Sequence, residues 1–323
     1  MKEAVVIATT YLDAHSMMMT RESLEGAAEA VNNGSRQLFT VEHDATIPPL
    51  GKVLEAWVEP IEDGEYQLVV TRETFEEPTW ITLPTGAKLL KQESEVDHNP
   101  FASRYKGVSD GYELSCDWVN FESPESVQEF LDDIRNASGV DFTDSIFGRK
   151  SATPDPEFFI RIAETIGAYL VAKKVVDKAG DKVVDLVMED VAKFYAFVKA
   201  IAGSAIKYTL PKNRPVTYIF VVSYAPVIEF IVRSNNPNSV LSAVSMDKLE
   251  KATSDAMDLH ENLGADKIQY LLNQRGEWEF NYLLTRTGQV IGTKQAYSRR
   301  TKKIELQQAK LKKLNNGNKG FSR

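Results

Sequence analysis

The chain has 323 residues, of which 43% are hydrophobic and 26% charged, with a formal net charge of −8. That composition is ordinary for globular proteins and gives room for two hydrophobic cores. Its single cysteine, Cys116, excludes an intramolecular disulfide, so nothing in the fold depends on an oxidising compartment.

Residues 1–8 are too short for the apolar region of a signal peptide and read as a first strand, so a cytoplasmic protein is expected. A helix-like segment, residues 21–32, follows Thr20. Phe39, Thr40 and Val41 then form a strand-like run ending in Glu42, His43 and Asp44, and Pro48-Pro49 makes a rigid turn into a second strand. Residues 53–59 and 66–70 read as two strands joined by the turn Glu62-Asp63-Gly64-Glu65. A histidine held between a strand and a rigid turn can be aimed. His43 is therefore the first candidate for a general base, and Glu42 and Asp44 favour its charged form if they approach the ring.

The order of Met19-Thr20, helix, strand ending in His43-Asp44, Pro49-Leu50-Gly51-Lys52-Val53 strand, acidic turn and strand resembles the prohead maturation proteases of tailed phages. These are similar to the herpesvirus assemblins. The resemblance spans roughly residues 1–135 and rests on pattern. It implies a serine nucleophile on a strand beside the histidine strand. Carried onto residues 112–121, it makes Ser115 the nucleophile and His43 the base that a serine hydroxyl needs. Strand alternation puts Glu113, Ser115 and Asp117 on one face and Leu114, Cys116 and Trp118 on the other. Asp117 is the third member by alternation, Asp132 or Asp133 on the following helix is comparably placed along the chain, and His98 would complete a Ser-His-His arrangement. Cys116, Asp117 and Trp118 depart from the small or apolar residues with which the family continues, which bears on the oxyanion hole and the substrate cleft.

Residues 136–156 contain Gly139, Gly148, Pro154 and Pro156 and disfavour continuous helix, which predicts a boundary near residue 150. Beyond it, residues 157–201 read as helix, broken or kinked at Gly167 or Gly180, with too many charges to cross a bilayer. Its least charged part, residues 160–170, is expected to pack on a sheet, with a membrane surface or a partner groove as the alternative. Residues 216–222 and 227–232 read as a hairpin, residues 246–262 as a helix, and residues 278–284 and 289–293 as a second hairpin around Thr285-Arg286-Thr287-Gly288. The predicted class is α+β. It comprises a mostly antiparallel, prohead-protease-like domain at 1–150, a domain at 151–300 with helices on one face of an antiparallel sheet, and a basic tail at 301–323.

His15, His43, His98 and His260 show no ligand spacing, so no metal is expected. Neither a phosphate-binding Gly-Lys-Ser/Thr loop nor a Gly-x-Gly-x-x-Gly turn occurs, so no cofactor is expected. Residues 294–323 carry ten cations against Glu305 alone, net +9, which leaves −17 on the rest of the chain. Such an arm can neutralise phosphates on nucleic acid or on an anionic membrane or dock on its own acidic body, and residues 315–323 read as disordered. Three functions fit: a serine peptidase cleaving itself or a partner protein, an inactive protease-fold module, phage-derived or defence-associated, binding a peptide or a phage structural protein, and a membrane or nucleic-acid effector acting through the helical segment and the basic tail. A homo-oligomer is compatible with each.

Overall fold

The computed structural model describes residues 1–11, 18–41, 44–103, 105, 111–148, 157–172, 181–212 and 214–318. The chain forms two compact units. One combines Met1–Ala102 with Asn281–Arg323, and the other is Ser103–Phe280.

The first unit opens with β1 (Lys2–Thr9), α1 (Arg21–Asn32), β2 (Gln37–Phe39), β3 (Gly51–Pro60) and β4 (Tyr66–Thr74). Thr20 caps α1 by accepting from the Ser23 amide, and Leu24, Ala28 and Val31 recur at helical spacing as its buried stripe. That stripe packs on Ala56, Leu68 and Val70 of an antiparallel sheet ordered β1-β4-β3-β2. The β3–β4 turn is where the sequence places it, with Asp63 and Gly64 both at positive φ. Gly51 starts β3 because any Cβ there would lie 1.7 Å from the Glu73 carbonyl oxygen.

Next come β5 (Thr79–Thr82) and β6 (Lys88–Gln92). After the second unit the chain returns with β13 (Trp278–Thr285), of which the part from Asn281 belongs here, β14 (Val290–Gly292) and α7 (Lys294–Asn318). β14 pairs antiparallel with both β6 and β13, and Phe75, Phe101, Tyr282, Leu284 and Val290 form a second small core. Lys52 lies beneath this region at 0% exposure, its ammonium donating to Asp97 O at 2.6 Å, Asp97 Oδ1 at 3.1 Å and Asn99 O at 3.0 Å. Arg36 holds the other carboxylate oxygen of Asp97 at 2.8 Å. Gly288, at φ +70, leaves room for the lysine, since a Cβ there would meet Lys52 Nζ at 2.3 Å.

The second unit holds β7 (Tyr112–Asp117), α2 (Pro124–Ser138), β8 (Phe142–Phe147), β9 (Glu157–Arg161), α3 (Glu164–Ala172), α4 (Asp181–Tyr208), β10 (Val216–Ser223), β11 (Val227–Ser234), α5 (Pro237–Ala243), α6 (Met246–Leu263) and β12 (Ala265–Leu272). Its strands run in the order β12-β11-β10-β9-β7-β8. Three of the five pairings are parallel, β7/β8, β9/β10 and β11/β12, each spanned by one or two helices, and the β10/β11 hairpin and β9/β7 are antiparallel. The sheet is thus mixed, in place of the antiparallel one expected, because parallel neighbours require such helical crossovers. Tyr112, Phe158, Tyr218 and Phe220 share the face covered by Phe130 of α2 and by Phe194 and Phe197 of α4. Each large apolar side chain fully buried there contributes about 1.5–3 kcal/mol.

Two further expectations are corrected. The long helix at 157–201 is a strand, a short helix and the start of α4, since Phe158, Phe159 and Ile160 are buried on both faces of a sheet. The boundary near residue 150 falls inside the second unit, because β7 pairs with β8 before it and β9 after it.

Candidate functional site

Ser115 is 8% exposed at the centre of β7, opposite Ser145 of β8 on one side and Phe159 of β9 on the other. Asp117 is 2% exposed, and its Oδ1 accepts from the Val119 amide at 3.1 Å to cap a 3-10 turn over Trp118–Asn120. Glu113, on the same face, pairs with Arg161 at 3.2 Å. The alternation read from the sequence is present, but Ser115 and Asp117 are buried on one face as Leu114 and Cys116 are on the other, with only Glu113 partly exposed. Cys116 lies on the helix-covered face, and burial, with Asp117 and Asp144 adding to it, pushes its thiol up to about 12, so it is inert as a nucleophile.

His43 and His15 lie outside the described residues. The strands beside Ser115 are β8 and β9, in place of the histidine strand that the resemblance implies, whereas Asp44, the residue after His43, leads from β2 towards β3 in the first unit. The crossover through α2 returns β8 to one edge of β7, and the apolar β9 takes the other. Asp132 is exposed and bonded to Gln128 and Arg135, while Asp133 accepts from Ser204 Oγ at 2.8 Å and faces Lys207 at 3.5 Å. Both carboxylates therefore serve α2 and its neighbour α4. His98 is exposed in the segment after β6, and His260 at the end of α6 is 2.6 Å from Ala265 O through Nδ1. Among the described members of the proposed constellation, only Ser115 and Asp117 are brought onto one face.

A different cluster forms where α7 begins. Thr293 Oγ1 accepts from the Ala296 amide at 3.1 Å, which caps a sequence rich in Lys, Gln, Ala and Arg, all good helix formers. Ala296, Tyr297 and Arg300 are buried, and the Tyr297 hydroxyl donates to Val290 O at 3.0 Å. The guanidinium of Arg300 lies 4.6 Å from the Tyr297 ring centroid and donates to Pro49 O at 2.6 Å. Burial lowers its pKa from the ordinary arginine value. One turn on, Lys303 Nζ reaches Asp44 Oδ2 at 3.1 Å. Burial acts most strongly on the Asp44 carboxyl and pushes it up. The Thr46 hydroxyl at 2.6 Å, the Thr46 amide at 3.0 Å and the Lys303 charge outweigh it, so its pKa lies below the usual aspartate range. From β13, Asn281 Nδ2 donates to Thr46 O at 2.8 Å, Tyr282 OH to Ala45 O at 3.3 Å, and Arg299 bonds the Asn281 side-chain oxygen.

The segment directly after His43 is therefore clasped by α7 and β13. On the solvent side of α7, Lys294, Arg299 and Lys302 are exposed, and the helix continues through a sequence that includes Lys310, Lys312 and Lys313. Cations towards a helix C-terminus complement its dipole. Sequence reading found this charge but missed that residues 315–318 are helical and that Arg300 and Lys303 are anchors; only Thr293 signals the helix start.

Among the described residues no three His, Cys, Asp or Glu side chains are grouped to hold a metal ion, and no helix is long and apolar enough to cross a membrane. No family model, no curated protein and no solved structure matches the chain.

Proposed function

We propose that the chain is a nucleic-acid-binding protein that grips the phosphate backbone of a duplex with the exposed side of α7. The observation that carries this reading is the division of labour along the helix. Ala296, Tyr297, Arg300 and Lys303 are spent on anchoring and Arg299 also holds Asn281, while Lys294 and Lys302 stand exposed on a helix that leads into three more lysines. A helix about 10–12 Å across matches the roughly 12 Å major groove of B-DNA. Phosphate contacts fix position without reading sequence, and with −17 on the rest of the chain the attraction is concentrated in this one element. A membrane surface fits less well, because insertion needs an apolar face and Leu306 is the large apolar side chain exposed on the described part of α7. The peptidase reading finds less support, since Ser115 at 8% exposure between Ser145 and Phe159 offers a scissile bond no approach.

Anisotropy titrations with a duplex of mixed sequence at several salt concentrations test the reading. With roughly five phosphates neutralised, log K should fall against log salt with a slope of about −4, and Lys294→Gln with Lys302→Gln should flatten that slope by about two. Absent binding at low salt, or an unchanged slope in the double variant, would overturn it, as would binding to anionic vesicles but not to duplex. Peptide-library turnover that Ser115→Ala abolishes would restore the peptidase.

A further inference from the structure

The contact between Lys303 and Asp44 has a second side. Both groups are partly accessible, with side-chain exposures of 30% and 24%, and Lys303 lies one residue from the exposed Lys302. A carboxylate and a phosphate oxygen present the same acceptor to an ammonium group, and a phosphate running along α7 therefore competes for the lysine that Asp44 now holds. We infer that Asp44 is a built-in competitor of the ligand: it occupies Lys303 in the free protein, and nucleic-acid binding takes that lysine and releases the segment that directly follows His43. The inference rests on the nucleic-acid reading above and specifies its regulation.

The geometry confines the release to one end of the segment. Pro49 stays on Arg300, which is buried against Tyr297 and out of a ligand's reach, and Leu50 keeps its amide on Phe39 O at 2.7 Å. Ala45 and Thr46 keep their carbonyls on Tyr282 and Asn281. Asp44 is held to α7 by Lys303, and its own amide donates to Val41 O at 3.0 Å across the position of His43. Linkage requires the effect to be reciprocal. Whatever factor binding removes from the Asp44 contact, loss of that contact returns to binding.

The test titrates wild type, Asp44→Asn, Lys303→Gln and Lys302→Gln with one duplex and follows amide exchange over residues 44–50. Asp44→Asn should bind about two- to fivefold tighter, the scale of a partly exposed ion pair, with a salt slope steeper by about one. Lys303→Gln should weaken binding less than Lys302→Gln, because its charge is already engaged. In the wild type, saturating duplex should speed exchange at the Asp44 and Thr46 amides and leave that of Leu50 unchanged. Binding by the wild type with equal affinity and slope in Asp44→Asn, or with those amides unaltered, overturns the inference and leaves the nucleic-acid reading standing. No binding by any of the four overturns both. Should Asp44→Asn fail to fold, exchange in the wild type decides alone.

Discussion

In the second unit β10 runs from Val216 to Val222 with every side chain buried, and β11 follows with five consecutive buried residues. In the first unit β1 buries no side chain fully, and the most deeply buried long side chain is that of Lys52. One unit rests mainly on continuous apolar burial and stacked aromatic rings, with the Lys267–Glu229 and Arg161–Glu113 ion pairs beside them. The other has two small cores and relies on charged latches, Lys52–Asp97–Arg36 and Lys303–Asp44, to fix the segments between its strands. Apolar transfer is indifferent to pH and salt over the ordinary range, whereas ion pairs are not. The contrast is one of proportion: charged contacts carry a larger share of the packing in the first unit, and they fix residues 44–50 there.

The sharpest way to break the contrast is Phe220→Ala, in a strand buried on both faces and edge-on to Phe194. A loss of about 3–5 kcal/mol is expected, read from amide exchange of β10 and β11 in denaturant, with the same size at pH 5 and pH 8. A loss under about 1 kcal/mol would show that the unit does not rest on this packing.

Second comes Lys52→Ala, which leaves the partly buried Asp97 with Arg36 as its remaining cation. The expected loss is about 3 kcal/mol and is confined to protection in β3, β4 and β6. This latch also gives the first unit its pH dependence. Burial acts first on the Asp97 carboxyl and raises it, but Arg36 and Lys52 win, so its folded pKa is depressed. Stability from such a group is full above the ordinary aspartate value of about 3.9 and is lost as pH falls through the lower folded value. Burial lowers the Lys52 pKa, so folding disfavours its charged form, and this term adds stability as pH rises towards the ordinary lysine value of about 10.4. Acid should therefore loosen the first unit ahead of the second, and Asp97→Asn should flatten that response. Simultaneous loss of protection in both units would remove the distinction.

The smallest effect is expected from Ser123→Ala, which removes the box in which Ser123 and Ser126 cap α2. About 1 kcal/mol should be lost in the second unit at any pH, measured by the same exchange experiment. A loss that varied with pH would mean that the cap is coupled to one of this unit's ion pairs, such as Lys267–Glu229 at 2.8 Å.

What could be read from the chain beforehand follows the reach of the signals. α1, the β3–β4 turn, the β10–β11 and β13–β14 hairpins and α6 were legible because periodicity, caps and turn residues act over a few positions. Glu157-Phe158-Phe159-Ile160-Arg161 was not, since a short apolar run suits a buried strand and a helix equally until a partner strand is known. β12 went unnoticed and the parallel pairings were invisible, because Val227 meets Lys267 only through a helical crossover. The site divides in the same way. The excess of cations after Lys294 is a count along the chain. Arg300 meeting Pro49 and Lys303 meeting Asp44 are contacts across 251 and 259 positions. Alternation put Ser115 and Asp117 on one face correctly, but the burial of that face by longer-range packing carries no local mark.

The first unit is assembled from two stretches separated by residues 103–280. On a ribosome, which delivers the chain from one end, β6 is made long before β14 exists to pair with it. Lys52 and Asp44 likewise wait for Gly288 and Lys303. The second unit's sequence ends at Phe280, so that unit can close while the first is still unfinished. Of the first unit's elements α7 emerges last, so the helix that anchors residues 44–50 through Arg300 and Lys303 is also the one that completes this unit. A chain cut short before Lys294 would lose the anchor of residues 44–50 and the exposed cations of α7 in a single event, so closure of the first unit and display of that charge are one step.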